Sequence, residues 1–502
     1  MKHLLFISTL VALCTSCGSL SEKSPKREMR AVWIATVVNI DWPKEGGDPI
    51  SKKKKDFIEI LDFYEEMNFN TAIVQIRTAG DAFYPTQKAP WSRYLTGKEG
   101  EASADYDVLL EWMIEETHDR GMEFHAWLNP YRATFNLDTA SLAKNHDLNK
   151  HPEWMIKYGT KYYYNPGLPE VQQHLTDITA ELVERYDLDA IHFDDYFYPY
   201  KIAGETFNDT KSFKKYSYED QSVEDWRRAN VDSLIKKTHQ VIKARKPWVQ
   251  FGISPFGVWR NNDKDPKGSD SKAGQTNYDD LYADPMSWLR NGWIDYLAPQ
   301  LYWTLDHPLA SHRKLLNWWN ENTENVNLYI GNGAYRALTD KDEAWHNEKE
   351  LVDQLQLARS ADRVNGNAYF SAKSLMADRE PVAELLRKAY QFKALPPALP
   401  GEKNTSLTGV QISRFNQDEE QLFVYMKGQQ HPLKNLVIYD LKKARAQQAE
   451  KASRIKAVIP VSQQEGIDFF RIDKSDLPSQ KVMIYSIIDR FGNESELRTL
   501  GL

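Results

Sequence analysis

The chain has 502 residues, 41% of them hydrophobic and 27% charged, with a formal net charge of −7. That hydrophobic share supports a real core and excludes wholesale disorder. The mildly acidic balance argues against nucleic acid as the main partner, because phosphate binding needs a basic face. Aromatic residues make up 12%, enough for core packing and for stacking against ligands, sugars included.

Residues 1–16 read MKHLLFISTLVALCTS. Lys2 opens the segment and an apolar run of about ten residues follows, too short for a bilayer span and right for a secretory signal. Thr15 and Ser16 precede Cys17, and the segment resembles a bacterial lipoprotein signal. That resemblance implies acylation of Cys17, a polar tether over 17–29 and a membrane as partner through an N-terminal lipid. A plain signal peptide cleaved nearby is the other reading. The two cysteines are Cys14 and Cys17, so the mature chain has no thiol for a disulfide, a zinc site or a nucleophile. Gly18, rather than Asp, follows Cys17, which leaves retention in the inner membrane unsignalled. The expected location is the cell envelope, at the outer membrane or periplasmic face.

From Arg30 short apolar runs alternate with amphipathic helical stretches. The runs lie at 31–37, 71–76, 123–128, 190–193, 249–254, 295–301, 327–331 and 367–370. Helical patterning fills the intervals, as at 53–67, 106–120, 169–186 and 223–245, and closes at 383–393. Eight strands each followed by a helix predict a (β/α)₈ TIM barrel over 30–393. An open doubly wound sheet is the alternative fold, but no G-x-G-x-x-G follows the first strand. A stiff Pro-rich linker follows at 394–403, opening ALPPALPG. The hydrophobic period then changes to two, and six strands over 404–502 predict a β-sandwich of fibronectin III or Ig-like type. Spacer and sugar binder are both open as its role.

Alternate residues of a barrel strand face inward, and active sites lie at the C-terminal ends. In Asp189-Ala-Ile-His-Phe-Asp-Asp-Tyr-Phe-Tyr-Pro, Ile191 and Phe193 face the helices, so His192 and Asp194 face the axis. Asp194 then stands near the top as the central carboxylate, kept ionised by Arg77 or His192. Asp195 is the second candidate, an acid or a positioning group. Glu205, with Asp209, lies in the loop beyond as an alternative acid. The same parity brings in Gln75 and Arg77 from the second strand, and His125, Trp127 and Asn129 from the third. Tyr131 and Arg132 follow on the third. Ser254, Gln300 and Tyr302 come from the fifth and sixth strands, Tyr335 from beyond the seventh. Trp33, Tyr196 and Trp303 add rings at these tips. Carboxylates among amides and stacking rings suit a saccharide: polar edges meet hydroxyls and rings cover CH faces. His125, His192, Asp194 and Asp195 are in principle metal ligands, but no H-x-H or H-E-x-x-H spacing supports a metal. Ser254 lacks the G-x-S-x-G elbow of a hydrolase triad. No cofactor is expected.

Four segments, Arg30-Ala-Val-Trp-Ile-Ala-Thr, Ala190-Ile-His-Phe-Asp-Asp-Tyr-Phe-Tyr-Pro, Gly252-Ile-Ser-Pro-Phe-Gly and Ala298-Pro-Gln-Leu-Tyr-Trp, resemble the glycosyl-hydrolase-like family ten proteins. These include divisome-localised glycosyl hydrolase lipoproteins. The resemblance implies a (β/α)₈ barrel, an envelope location and hydrolysis of glycans, with peptide-free peptidoglycan strands as the expected substrate. The fourth strand is also similar to the D-G-x-D-x-D-x-E strand of chitinase-like enzymes. Asp189 and Asp194 match two of its aspartates, while His192 replaces another and Tyr196 stands where the catalytic Glu would be. Glycoside hydrolysis ordinarily needs an acid and a second carboxylate, unless a 2-acetamido group on the sugar is the nucleophile. A non-catalytic carbohydrate-binding lipoprotein and a metal-dependent polysaccharide deacetylase are the alternative functions.

Overall fold

A computed structural model describes residues 24–376, 380–401, 407, 409–428 and 432–502. The leader at 1–16 and Cys17 lie outside the described residues. In chain order the first ten strands are β1 (Met29–Ile34), β2 (Thr71–Arg77), β3 (Glu123–Leu128), β4 (Met155–Tyr158), β5 (Lys161–Tyr164), β6 (Ala190–Phe193), β7 (Gln250–Ile253), β8 (Tyr296–Leu297), β9 (Asn327–Asn332) and β10 (Val364–Phe370). β4 and β5 form an antiparallel hairpin in the loop after β3. The other eight close into a parallel barrel, β10 returning to β1.

These strands are nearly continuous apolar runs because both faces are covered. Val32, Ile34, Val74, Ile76, Phe124, Ile191, Phe193 and Phe251 pack outward on the helices. Ala31, Trp33, Ile73, Trp127, Ala190, Tyr296 and Tyr329 fill the axis. The helix Ile50–Glu66 shows the matching period, burying Phe57, Ile60, Leu61 and Tyr64 along one stripe. β8 is shorter than the expected 295–301. Pro299 has no N–H to pair, and the chain resumes bridging only at Gln300, which meets Phe256 and Gly331.

The C-terminal region holds seven antiparallel strands, one more than expected: β11 (Gln411–Gln417), β12 (Gln421–Lys427), β13 (Leu433–Tyr439), β14 (Ile455–Gln464), β15 (Ile467–Asp473), β16 (Val482–Asp489) and β17 (Arg498–Gly501). β14 changes layers at Pro460. Its first part pairs with β13 and its residues from Val461 onward pair with β15. Leu422, Val424, Phe470 and Ile472 of one layer therefore meet Leu436, Ile438, Met483 and Ile487 of the other.

This sandwich docks under the barrel, against the N-terminal strand ends and opposite the face formed by the C-terminal ends. Lys434 of β13 pairs with Glu123 and, at 2.9 Å, with Asp189. Arg490 pairs with Asp187 and approaches Asp189 to 3.5 Å. The Pro-rich linker is pinned rather than free: Glu28 N–H donates to Leu395 O, and Leu395 N–H donates to Lys26 O, both at 2.9 Å.

Candidate active site

A cleft of about 290 Å³ opens at the C-terminal ends of the barrel strands. Asp194, immediately after β6, is the acidic side chain on its wall. Its Oδ1 accepts from the Asp195 backbone N–H and from Gln300 Nε2, both at 2.9 Å. Gln300 Nε2 also donates to Ser254 O at 3.0 Å, so one amide locks the tops of β6 and β7 together. Burial raises the Asp194 carboxyl above the ordinary carboxylate range, opposed by these hydrogen bonds and by Arg132. Asp195 lies behind it, 1% exposed, accepting from the Tyr200 hydroxyl. Burial and the adjacent Asp194 charge push Asp195 well above the ordinary range. The two carboxyls form a pair that retains one proton to unusually high pH.

Around Asp194 the cleft carries polar groups with fixed directions. Gln75 Oε1 accepts from Thr36 N–H at 3.1 Å and Val37 N–H at 2.9 Å. Those backbone donors decide the amide orientation, so the nitrogen is the free end. Gln75 Nε2 is buried with no partner among the described residues and belongs to the cleft lining. Unpaired buried donors are costly, which makes it a candidate for a ligand oxygen. Arg132 lies 4.3 Å from the Tyr196 ring centre, fixing both at the rim. Tyr302 stacks on Phe370 at 6.0 Å, with Tyr335 edge-on to both. Val37 and Ile40 complete the lip, in a loop where Val38 and Asn39 both take φ of 52°.

The structure brings eleven expected residues to this cleft: Trp33, Gln75, Trp127, Asn129, Arg132, Asp194, Tyr196, Ser254, Gln300, Tyr302 and Tyr335. Others lie elsewhere, each for a local reason. Arg77 is displaced by a bulge in β2: Gln75 pairs with Trp127, but Arg77 pairs with the outward Leu128. Its guanidinium therefore leaves the axis and donates to Asp81 O and the Tyr164 hydroxyl. The expected partnership of Arg77 or His192 with Asp194 is replaced by Arg132. Tyr131 follows the end of β3, where alternation lapses, and is fully buried in the helix-facing core. Trp303 packs edge-on against Phe256, outside the cleft. Glu205 sits on an exposed loop, its carboxylate accepting from Gly159 N–H at 3.2 Å, away from Asp194. His125 and His192 lie beneath the cleft floor, both meeting the Tyr296 hydroxyl, at 3.0 and 2.9 Å. Asp189, matched to a chitinase-like aspartate, lies at the barrel floor instead, bonded to Phe124 N–H at 2.9 Å and to His118.

Four lining residues escaped selection from sequence: Val37, Ile40, Tyr200 and Phe370. Phe370 had a usable signal, the inward parity of Ala368 two positions earlier. Tyr200 had none, because it returns along an irregular loop.

Gly252 in β7 makes room for the Tyr296 ring. A Cβ there would fall 1.8 Å from Tyr296 Cζ. Gly252→Ala is expected to cost about 1–3 kcal/mol through overpacking, read as a lower urea midpoint. A wild-type midpoint would show that Tyr296 has another place to go.

A parallel barrel whose mouth holds an acid pair, oriented amides and aromatic walls defines a glycosyl-hydrolase-like architecture. The chain belongs to the glycosyl hydrolase-like 10 family, whose model matches residues 28–347. It is 44% identical over 435 residues to glycosyl hydrolase YngK of Bacillus subtilis (strain 168), covering 85% of this chain and 84% of that one. It is 37% identical over 365 residues to glycosyl hydrolase DigH of Escherichia coli (strain K12), covering 68% and 82%. Among solved structures, the PgaB (BpsB) glycoside hydrolase domain of Bordetella bronchiseptica aligns with a TM-score of 0.48 and 11% identity, covering 72% of this chain and 98% of that domain.

Proposed function

We propose that the protein is a glycoside hydrolase of the bacterial cell envelope, held there by lipid on Cys17 and acting on peptidoglycan glycan strands. The observation that carries this reading is the single acidic side chain on the cleft wall, Asp194, backed by a proton-retaining neighbour and joined in the cleft lining by one unsatisfied amide donor, Gln75 Nε2. No helix among the described residues is long and apolar enough to cross a membrane.

One acid on the wall favours chemistry in which the sugar supplies the nucleophile. The proton that the pair retains passes through Asp194 to the glycosidic oxygen as the C1–O bond breaks. The carbonyl oxygen of the substrate's 2-acetamido group bonds to C1, forming an oxazolinium ion. Water then adds to C1, the Asp194 carboxylate takes its proton, and the acetamido group is released with retained configuration. Gln75 Nε2 and Arg132 are the donors available to hold the sugar. YngK and DigH, both called glycosyl hydrolases, support the same reading at the level of reaction class.

Incubation with peptide-free peptidoglycan strands, chitin oligomers and unrelated glycans tests it. New reducing ends of retained anomeric form on acetamido-sugar polymers are expected. Binding without cleavage on all of them would leave a carbohydrate-binding lipoprotein, and chelator-sensitive acetate release would indicate a deacetylase.

Asp195→Asn gives a pH test. The wild-type pair holds its proton because burial and like charge oppose full ionisation. With Asn at 195 only the Asp194 carboxyl remains, raised less far than that of Asp195, so the proton is lost at lower pH. The alkaline limb of kcat is expected to move to lower pH. An unmoved limb would mean that the acid is not this pair.

A further inference from the structure

An unbroken line of buried side chains runs down the barrel axis from the cleft floor to the C-terminal sandwich. Ser254 Oγ meets His192 Nε2 at 2.9 Å, and His192 Nδ1 meets the Tyr296 hydroxyl at 2.9 Å. That hydroxyl meets His125 Nδ1 at 3.0 Å, and His125 Nε2 meets Glu123 Oε2 at 3.0 Å. The other Glu123 oxygen pairs with Lys434 of β13. His125, His192 and Tyr296 are fully buried, Ser254 is 1% exposed and Glu123 5%.

The direction of every hydrogen in this line follows from its two ends. Trp33 Nε1–H, which can only donate, points at His192 Nε2 at 3.3 Å. His192 Nε2 is therefore an acceptor, and its ring proton sits on Nδ1. The ring is neutral, because burial and His125 lower its basicity well below the usual range. His192 Nδ1–H donates to the Tyr296 oxygen, which leaves the one Tyr296 hydrogen to His125 Nδ1. His125 then carries its proton on Nε2 and donates to Glu123. Glu123 can only accept while ionised. Burial works against ionisation there, but Lys434 and His125 overcome it and hold the carboxyl below its ordinary range. At the upper end, the acceptors beside the Ser254 hydroxyl are His192 Nε2 at 2.9 Å, shared with Trp33, and Phe193 O at 3.5 Å, so its hydrogen turns away from the cleft and its oxygen lone pairs remain for a ligand.

We infer that Lys434 of the C-terminal sandwich is a positioning residue for the cleft, acting through Glu123, His125, Tyr296 and His192 to fix the Ser254 hydroxyl as an acceptor for a sugar O–H or N–H. The catalytic part rests on the glycosidase reading above; the hydrogen ordering does not. Ser254 also accepts, through its carbonyl, the Gln300 amide that holds Asp194. Any change in the line is thus felt beside the acid. Without the Lys434 charge, Glu123 takes a proton and becomes a donor. The line then reverses: His125 Nδ1–H donates to Tyr296, Tyr296 O–H to His192 Nδ1, and His192 Nε2–H to Ser254. That last hydrogen opposes the Trp33 N–H, and the Ser254 proton turns toward the cleft.

The test is nitrogen NMR of the full-length protein labelled with [¹⁵N]histidine, with signals assigned by His125→Gln and His192→Gln. His192 is expected as the Nδ1–H tautomer and His125 as the Nε2–H tautomer in the native protein. Lys434→Met is expected to reverse both and to lower kcat by about tenfold, with Lys434→Arg restoring both. In a Tyr296→Phe background, which cuts the line midway, Lys434→Met is expected to leave kcat and the His192 signal unchanged. A native His192 in the Nε2–H form, or a His192 signal indifferent to Lys434→Met in a folded protein, overturns the inference. If Lys434→Met fails to fold, the native tautomers and the loss of His192–His125 coupling in Tyr296→Phe still decide it. Absence of hydrolysis with the expected tautomers would fault the glycosidase reading and leave the relay standing.

Discussion

Asp194→Asn is expected to lower kcat on a cleaved glycan by about 10²–10⁴-fold, the usual worth of a positioned general acid. The substitution is nearly isosteric. Asn Oδ1 can still accept from Asp195 N–H and Gln300 Nε2, the two bonds that orient the native side chain. Substrate affinity is therefore expected to change much less than turnover. Stability should move the other way. The folded carboxyl has a raised pKa, so its contribution to stability is present at low pH and is lost as pH rises through the folded value. Above that folded value the ionised, buried carboxylate is a liability, and its removal should leave the unfolding midpoint there unchanged or higher, as at many functional sites. Reducing-end release and a urea titration on the same preparation separate the two effects. Activity within tenfold of wild type would move the acid elsewhere. A lowered midpoint would mean that Asp194 is a structural residue.

The residues that could be placed from sequence are those governed by strand alternation inside a regular strand. Ile191 and Phe193 lie outward, and His192 and Asp194 lie inward, because β6 is regular from Ala190 to Phe193. The same rule points Gln75, Trp127 and Asn129 inward. It fails at Arg77 because the bulge after Gln75 adds a residue and turns the next side chain outward, and a bulge between two ordinary residues leaves no mark in the sequence. It fails at Tyr131 and Trp303 because both lie beyond the strand ends, where loop geometry takes over. His125 and His192 were legible as inward but not as lying below the floor, since parity fixes direction and not depth. Lys434 reads as one of two adjacent polar residues opening an apolar strand. Its function depends on where a whole sandwich docks, which no local pattern encodes.

Glu28→Gln is expected to destabilise the protein by about 3–5 kcal/mol, the cost of breaking a buried ion cluster by removing one partner. Glu28 stands just before β1 and its side chain is 3% exposed, between Arg30 at 0% and Arg359 at 9%. Arg359 Nε and Nη2 donate to its two oxygens at 2.7 and 2.8 Å, and Arg30 Nε donates at 2.9 Å. Both guanidinium groups lie over the Tyr390 ring, at 4.5 and 5.3 Å from its centre, and Arg30 Nη1 donates to Phe392 O. The cluster thus joins the first strand, the helix Glu350–Ser360 and the segment leaving the last helix, Glu380–Ala389, where the barrel closes. Burial, and to a lesser extent the Arg359 charge, lower the basicity of Arg30, and the Glu28 charge is the main force opposing that. A glutamine keeps the shape but leaves two buried cations with no anion between them, and its amide hydrogens meet donors rather than acceptors. Salt does not screen a cluster this deep, so the loss should persist at high ionic strength, unlike that of a surface pair. A urea titration at low and high salt reads both features. A loss below about 1 kcal/mol, or one that vanishes in salt, would mean that barrel closure depends on apolar packing there and not on this cluster.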